Sequence, residues 1–214
     1  MSEPRRRILH IEPSSRCTIA CMHCPRTKYP DHMSIEDIDI DTVVRACSGF
    51  DTLAMCGNHG DPIYHPDLHG LLGRVRSAYP AMTFFIITNG SHRTARWWGD
   101  LAAILRDGDE LVFSIDGLPE NNHLYRENSR WNTIEDAVRA VRAVNREVAM
   151  TWKWILFNYN EHQVLRGIRL AKSLGFNHFK VVGSTREEEN DPLLATRTVI
   201  DVREELIASG IPTV

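Results

Sequence analysis

Three of the chain's five cysteines fall within eight residues, in "CTIACMHC" at positions 17 to 24, while Cys47 and Cys56 stand apart. A thiolate is a metal ligand, and thiols crowded into one loop point to metal binding rather than to a disulfide framework. A structural zinc site wants four ligands, usually as two pairs. The sequence has no second Cys-x-x-Cys, and His23 adjoins Cys24 too closely to chelate the same ion. An iron–sulfur cluster is the better candidate, since cysteines grouped in one loop hold such clusters. Three thiolates on four irons leave one iron open, which is useful if a substrate or cofactor is to bind metal directly. Cys47 and Cys56 read as small buried side chains, although Cys56 is the one spare cysteine with a place near a strand end.

The cysteine loop needs a scaffold, and the rest of the chain supplies one. Short β-branched and aromatic runs alternate with longer stretches of helical period, the pattern of βαβ units. The predicted strands are residues 7–11, 52–56, 83–88, 110–115, 148–157 and 178–182, with helices starting near Ile40, Pro66, Arg93, Thr133, Glu161 and Ile200. In the fourth helix Ile134, Ala137, Val138, Val141 and Val144 form one apolar stripe. Asn132 is its predicted N-cap, with Glu135 as capping-box partner. Six such units imply an α/β fold: a parallel six-stranded sheet curled as a partial (β/α)6 barrel, helices outside. In parallel architectures functional loops gather at the carboxyl ends of the strands. "CTIACMHC", "GNHGDP", "ITNG" and "SIDG" follow the first four strands and open onto that one rim.

Length and composition narrow the classes. The 214 residues, 43% hydrophobic, suit one folded unit with a real core. A net charge of −3 gives no strong nucleic-acid signal, and Arg5, Arg6 and Arg7 read as a solvated arm. No segment has the length of a membrane span or the form of a signal peptide, so a soluble cytoplasmic protein is expected. The polar stretch 184–192 reads as a solvated connection to the last helix.

The spacing Cys-x₃-Cys-x₂-Cys after a first strand, with those three further loops, resembles the radical S-adenosylmethionine (radical SAM) superfamily. The resemblance implies one [4Fe–4S] cluster on Cys17, Cys21 and Cys24, its fourth iron chelated by S-adenosylmethionine. It implies reductive cleavage of that cofactor to a 5′-deoxyadenosyl radical, which abstracts hydrogen from a substrate. Gly60, Asp61 and Pro62 match the family's second-strand loop for the cofactor's amino group, with Asp in place of Glu and His59 where a glycine is usual. Thr88 and Asn89 match the third-strand end, and Ser114 the fourth, near carboxylate or ribose. Arg126, with Arg130 as alternative, is the candidate carboxylate partner, since a guanidinium fork suits that group. His23 and Val182 are the candidates to meet the adenine. An external electron donor of flavodoxin or ferredoxin type is implied as well.

The resemblance runs from about residue 8 to 184, leaving residues 185–214 for a helix and tail of one radical SAM domain, 1–214. The core is like those of peptide-modifying members with SPASM or Twitch extensions, but no cysteine follows Cys56, so one cluster and no auxiliary-cluster domain are expected. The substrate is read as a peptide, with a nucleotide or other small metabolite as the alternative. A non-catalytic zinc or iron–sulfur protein is the reading from a different class. On the fifth strand Trp152 and Trp154 face one side and Lys153 the other. Facing inward, the tryptophans would stack on a substrate; facing outward, they are core, the commoner arrangement. Of Trp97 and Trp98, one is expected in the core and one at the surface. His59, His65 and His69 read as ordinary loop histidines, and no hydrogen donor is assigned.

Overall fold

β-Branched and aromatic residues concentrate in six short runs, and in the computed structural model, which describes residues 6–32, 34–185 and 191–208, each run is a strand. They are β1 (Ile8–Ile11), β2 (Thr52–Met55), β3 (Thr83–Thr88), β4 (Glu110–Ser114), β5 (Ala149–Ile155) and β6 (His178–Val182). All five pairings are parallel and follow chain order, β1 to β6, so each strand lies beside its sequence neighbour. Parallel neighbours need a crossover. The single turn α1 (Pro25–Lys28) and the helices α2 (Ile40–Ala46), α3 (Leu68–Ala78), α4 (Ala95–Ile104), α5 (Trp131–Val144) and α6 (Val164–Leu174) lie in those crossovers. α7 (Val199–Ala208) follows β6. The result is the expected partial (β/α)6 barrel.

Local chemistry fixes the helix starts. Asp39, Asp67 and Thr94 accept from the backbone N–H of Thr42, Gly70 and Trp97 at 2.9, 2.8 and 3.3 Å, the N-cap bond that satisfies an otherwise unpaired donor. α6 ends at Gly175, whose φ of 89° is a left-handed conformation that glycine adopts without strain. α5 departs from the expectation. Its N-cap is Arg130, one turn residue before Trp131, with no side-chain cap. Asn132 is therefore inside the helix, and Glu135 accepts from Trp131 Nε1 at 3.1 Å and Arg139 Nε at 2.9 Å instead of closing a capping box. The apolar stripe is buried at Ile134, Ala137, Val138 and Val141, but Val144, at the helix end, is exposed.

The period of two in a strand splits each one between faces. The convex faces bury Leu53, Met55, Phe84, Ile86, Leu111, Phe113 and Met150 under the helices. Trp152 and Trp154 are both 0% exposed in this layer, which makes them core. Trp98 joins them, while Trp97 is half-buried and stacks on His69 at 4.6 Å. The concave faces carry a different set, including His10, Ile87, Ser114, Lys153 and Lys180. Among the described residues no helix is long and apolar enough to cross a membrane.

Candidate active site

A cavity of about 470 Å³ opens at the carboxyl ends of the strands, and Cys17, Cys21 and Cys24 line it together. Its wall continues through Gly60 and Asp61, Thr88 and Asn89, Ser114 and Arg126, then Lys153, Ile155, Lys180 and Val182. Every strand end from β2 to β6 thus contributes.

The three sulfurs are each approached from a different loop. Cys17 Sγ lies 3.4 Å from Asn89 Nδ2, which donates to it from the end of β3. Cys21 Sγ lies 3.9 Å from Arg126 Nη1, in the segment after β4. Cys24 Sγ lies 3.8 Å from the Asn58 carbonyl, after β2. Backbone ties reinforce this: Asp61 N donates to Arg16 O at 3.0 Å and Ala20 N to Glu127 O at 2.9 Å. Gly60 permits a close approach between loops, since a Cβ there would stand 2.0 Å from the Ser14 carbonyl oxygen. Burial pushes the Cys17 thiol up to about 12, helped by the Asp61 charge. Burial likewise pushes Cys21 up to about 11, against the pull of Arg126. A metal must displace these protons to bind, since the thiolate is the ligand.

Two buried carboxylates organise the wall. Asp61 Oδ2 accepts from Asn89 N and Nδ2, both at 2.6 Å, and from Thr88 Oγ1 at 3.1 Å; its Oδ1 accepts from Ile63 N at 3.1 Å. Burial pushes its carboxyl up to about 6 despite those donors. It joins the β2 loop to the β3 end, and through Asn89 to Cys17. Asp116, of "SIDG", accepts from Ile155 N at 2.7 Å and faces Arg126 Nη2 at 2.7 Å. Burial opposes the Arg126 charge, but Asp116 and the Cys21 sulfur outweigh it and hold the guanidinium above its ordinary pKa. Arg126 Nε has no hydrogen-bond partner although it is buried. That is a spare donor in a residue of the cavity wall.

The structure brings most of the anticipated residues together, and the exceptions are informative. Gly60, Asp61, Thr88, Asn89, Ser114, Arg126 and Val182 share the wall with the cysteines. Pro62 lies behind it, opening the 3₁₀ turn Pro62–Tyr64 that Asp61 caps. His23 is not on the wall: it is 4% exposed, pairs through Nε2 with Asp191, and packs 5.3 Å from the Tyr125 ring. Arg130 is likewise elsewhere, lining a separate hollow with Thr18 and His92. Cys47 is buried, as expected, whereas Cys56 is half-buried, lines the cavity and contacts His10 Nε2. The three histidines after β2 do not converge: His59 is exposed, His65 bonds the Ile38 carbonyl at 3.0 Å, and His69 stacks on Trp97. Of the stretch 184–192, residues 186–190 lie outside the described set, as does Arg5. Sequence reasoning passed over Lys153 and Lys180 as site residues, although the position of Lys153 opposite two core tryptophans was the available signal.

Among the described residues no three His, Cys, Asp or Glu side chains are grouped to hold a metal ion. The fit to a cluster rests instead on three thiols sharing one wall, since a cluster takes its thiolates on different irons. The fit to a carboxylate-bearing cofactor rests on the unpartnered Arg126 Nε.

Comparison with known proteins bears on this arrangement. The radical SAM superfamily model matches residues 11–151. No curated protein matches the chain. Among solved structures, native anSMEcpe with bound AdoMet is 16% identical at a TM-score of 0.73, over 96% of this chain and 62% of that one. Streptococcus suis SuiB bound to S-adenosylmethionine is 14% identical at 0.74, over 95% and 47%. TYW1 with a lysine-pyruvate adduct bound is 14% identical at 0.65, over 94% and 73%. These likenesses are of fold, and the chain spans less than two thirds of the first two proteins. The family match runs from the end of β1 into β5 and takes in every loop that touches a cysteine sulfur: the chain belongs to the radical SAM superfamily of enzymes.

Proposed function

We propose that Cys17, Cys21 and Cys24 hold one site-differentiated [4Fe–4S] cluster, with S-adenosylmethionine beside it, for radical chemistry on a peptide. When bound, cluster and cofactor supply a 5′-deoxyadenosyl radical that takes hydrogen from the substrate. The observation that carries the reading is the fixing of three sulfurs from three different strand ends around one cavity. The protein's part is positioning and exclusion of water. Arg126, with its spare Nε, and Ser114 receive the cofactor's carboxylate; the backbone around Gly60 and Asp61 receives its ammonium, because the Asp61 side chain is already occupied by Thr88 and Asn89. Ile155 and Val182, register partners on β5 and β6, give the adenine an apolar seat. Residues 8–184 make up this core, and electrons come from a flavodoxin- or ferredoxin-type donor.

The peptide reading is supported by structures of anSMEcpe with AdoMet and Kp18Cys peptide and of SuiB with the precursor peptide SuiA. TYW1 with its lysine-pyruvate adduct supports a second reading, a small-molecule substrate. The test is anaerobic reconstitution. About four irons and four sulfides per chain, with 5′-deoxyadenosine formed from S-adenosylmethionine and reductant, are expected. Tight zinc binding with no cofactor cleavage would overturn the assignment.

A further inference from the structure

Lys153 and Lys180 are register partners on β5 and β6, and Ser114 on β4 completes the same row. All three line the cavity that Cys17, Cys21 and Cys24 share. Like charges directly opposite on neighbouring strands repel. A strand gains nothing from this pair, and the surroundings do not offset it. Asp116 is taken by Arg126 at 2.7 Å, and Asp61 is ringed by Thr88, Asn89 and Ile63. Among the described residues neither lysine reaches a carboxylate within salt-bridge distance. Burial, together with the Arg126 and Lys180 charges, holds Lys153 below its ordinary pKa against the pull of Asp116. The cavity wall therefore presents two ammonium groups and a hydroxyl in one row, on the strands farthest in order from the cysteine loop.

We infer that Lys153 and Lys180 form an anion subsite for the substrate, and that the peptide presents an acidic side chain to it. The subsite itself rests on the row of side chains; the source of the anion rests on the peptide reading proposed above. Two lysines suit an oxyanion, since charge-assisted hydrogen bonds are stronger than neutral ones.

The experiment is anaerobic calorimetry on the reconstituted holoprotein with S-adenosylmethionine. The probes are a capped hexapeptide centred on glutamate, its glutamine twin, and inorganic phosphate. The variants are Lys153→Met, Lys180→Met and the double, with Lys153→Arg keeping the charge should Lys153→Met fail to fold. Iron content and circular dichroism report intact protein, and Lys180 is exposed enough to change without disturbing the core. The glutamate peptide is expected to bind about tenfold more tightly than its twin at low salt. That preference is lost in the double variant and kept in Lys153→Arg. Lysine-dependent binding of phosphate with neither peptide bound keeps the subsite and overturns the peptide source. No lysine-dependent binding of any probe overturns the subsite. It is also overturned if the variants weaken S-adenosylmethionine more than about tenfold and leave the probes untouched, because the lysines then serve the cofactor.

Discussion

Replacing Arg126 by methionine keeps an aliphatic stem and removes the guanidinium that faces Asp116 at 2.7 Å. Asp116 is 0% exposed and Arg126 8%, so water cannot replace the lost partner. Asp116 Oδ1 keeps the Ile155 N–H, but the charge is left unpaired. Removing one member of a buried pair costs about 3–5 kcal/mol, a large share of the ~5–15 kcal/mol that holds a domain together. The pH dependence has a definite sign. Burial drives the Asp116 carboxyl above its usual range, and the Arg126 charge opposes that. Without Arg126 the folded pKa rises further above the unfolded value of about 3.9. The native variant then keeps a proton that the unfolded chain has released, so stability is greatest in acid and falls as pH rises through the folded pKa.

Urea unfolding followed by circular dichroism near pH 5 and pH 8 reads both effects. Arg126→Met is expected to lose about 3–5 kcal/mol at the higher pH and less at the lower. Adding Asp116→Asn should restore most of the loss, because the amide oxygen still accepts from Ile155 and carries no charge. A deficit below about 1 kcal/mol at both values, the range of an exposed pair, would refute the reasoning, as would a deficit that grows in acid. The same substitution removes the donor near Cys21, so S-adenosylmethionine should bind at least about tenfold more weakly while three thiols still load iron.

Alanine at Cys17, Cys21 or Cys24 should abolish iron loading and cofactor cleavage, measured by iron assay and 5′-deoxyadenosine release. Cys47→Ala, in the core, should cost about 1 kcal/mol of stability and leave iron untouched. Gly60→Ala should displace the cysteine loop, since its Cβ would meet the Ser14 carbonyl at 2.0 Å. Iron loading should fall with little change in helix content by circular dichroism. Trp152→Ala should lose about 3–5 kcal/mol in urea unfolding, as a side chain packed under helices does. A variant that folds normally but changes substrate preference would mean that Trp152 faces the cavity after all.

The strands were legible to within two residues at either end because turn residues bracket each apolar run. Element order then followed, since parallel neighbours joined by helices leave few topologies. The start of α5 was not, because Glu135 has competing partners: Trp131 Nε1 and Arg139 outbid Asn132 only once the indole is placed. The chemistry of the cysteine loop was legible in its spacing together with "GNHGDP", "ITNG" and "SIDG", the loops that complete the resemblance. The ties that hold the loop were not, since Asp61 meets Asn89 only when β2 and β3 lie side by side. His23 illustrates the same limit. Its partner, Asp191, sits near the other end of the chain, and nothing local distinguishes a ring turned toward a cavity from one turned toward a distant carboxylate. Lys153 was visible by alternation against two tryptophans, whereas Lys180 joined it only through the β5–β6 register.

Among the described residues the sheet has six strands and ends at β6, the strand that carries Lys180. Closing a parallel barrel fills its interior with layers of side chains packed away from water. The concave faces of β4 to β6 carry Glu110, Thr151, Lys153, His178 and Lys180, a set that closure would bury. Glu110 and Thr151 satisfy each other at 2.5 Å, but the lysines have no such partner among the described residues. Burying each unpaired ammonium would cost several kcal/mol. At the β6 edge Lys180 is exposed, while Lys153, one strand in, is half-buried. The polar inner face of the last strands is thus what suits them as a wall for a charged substrate.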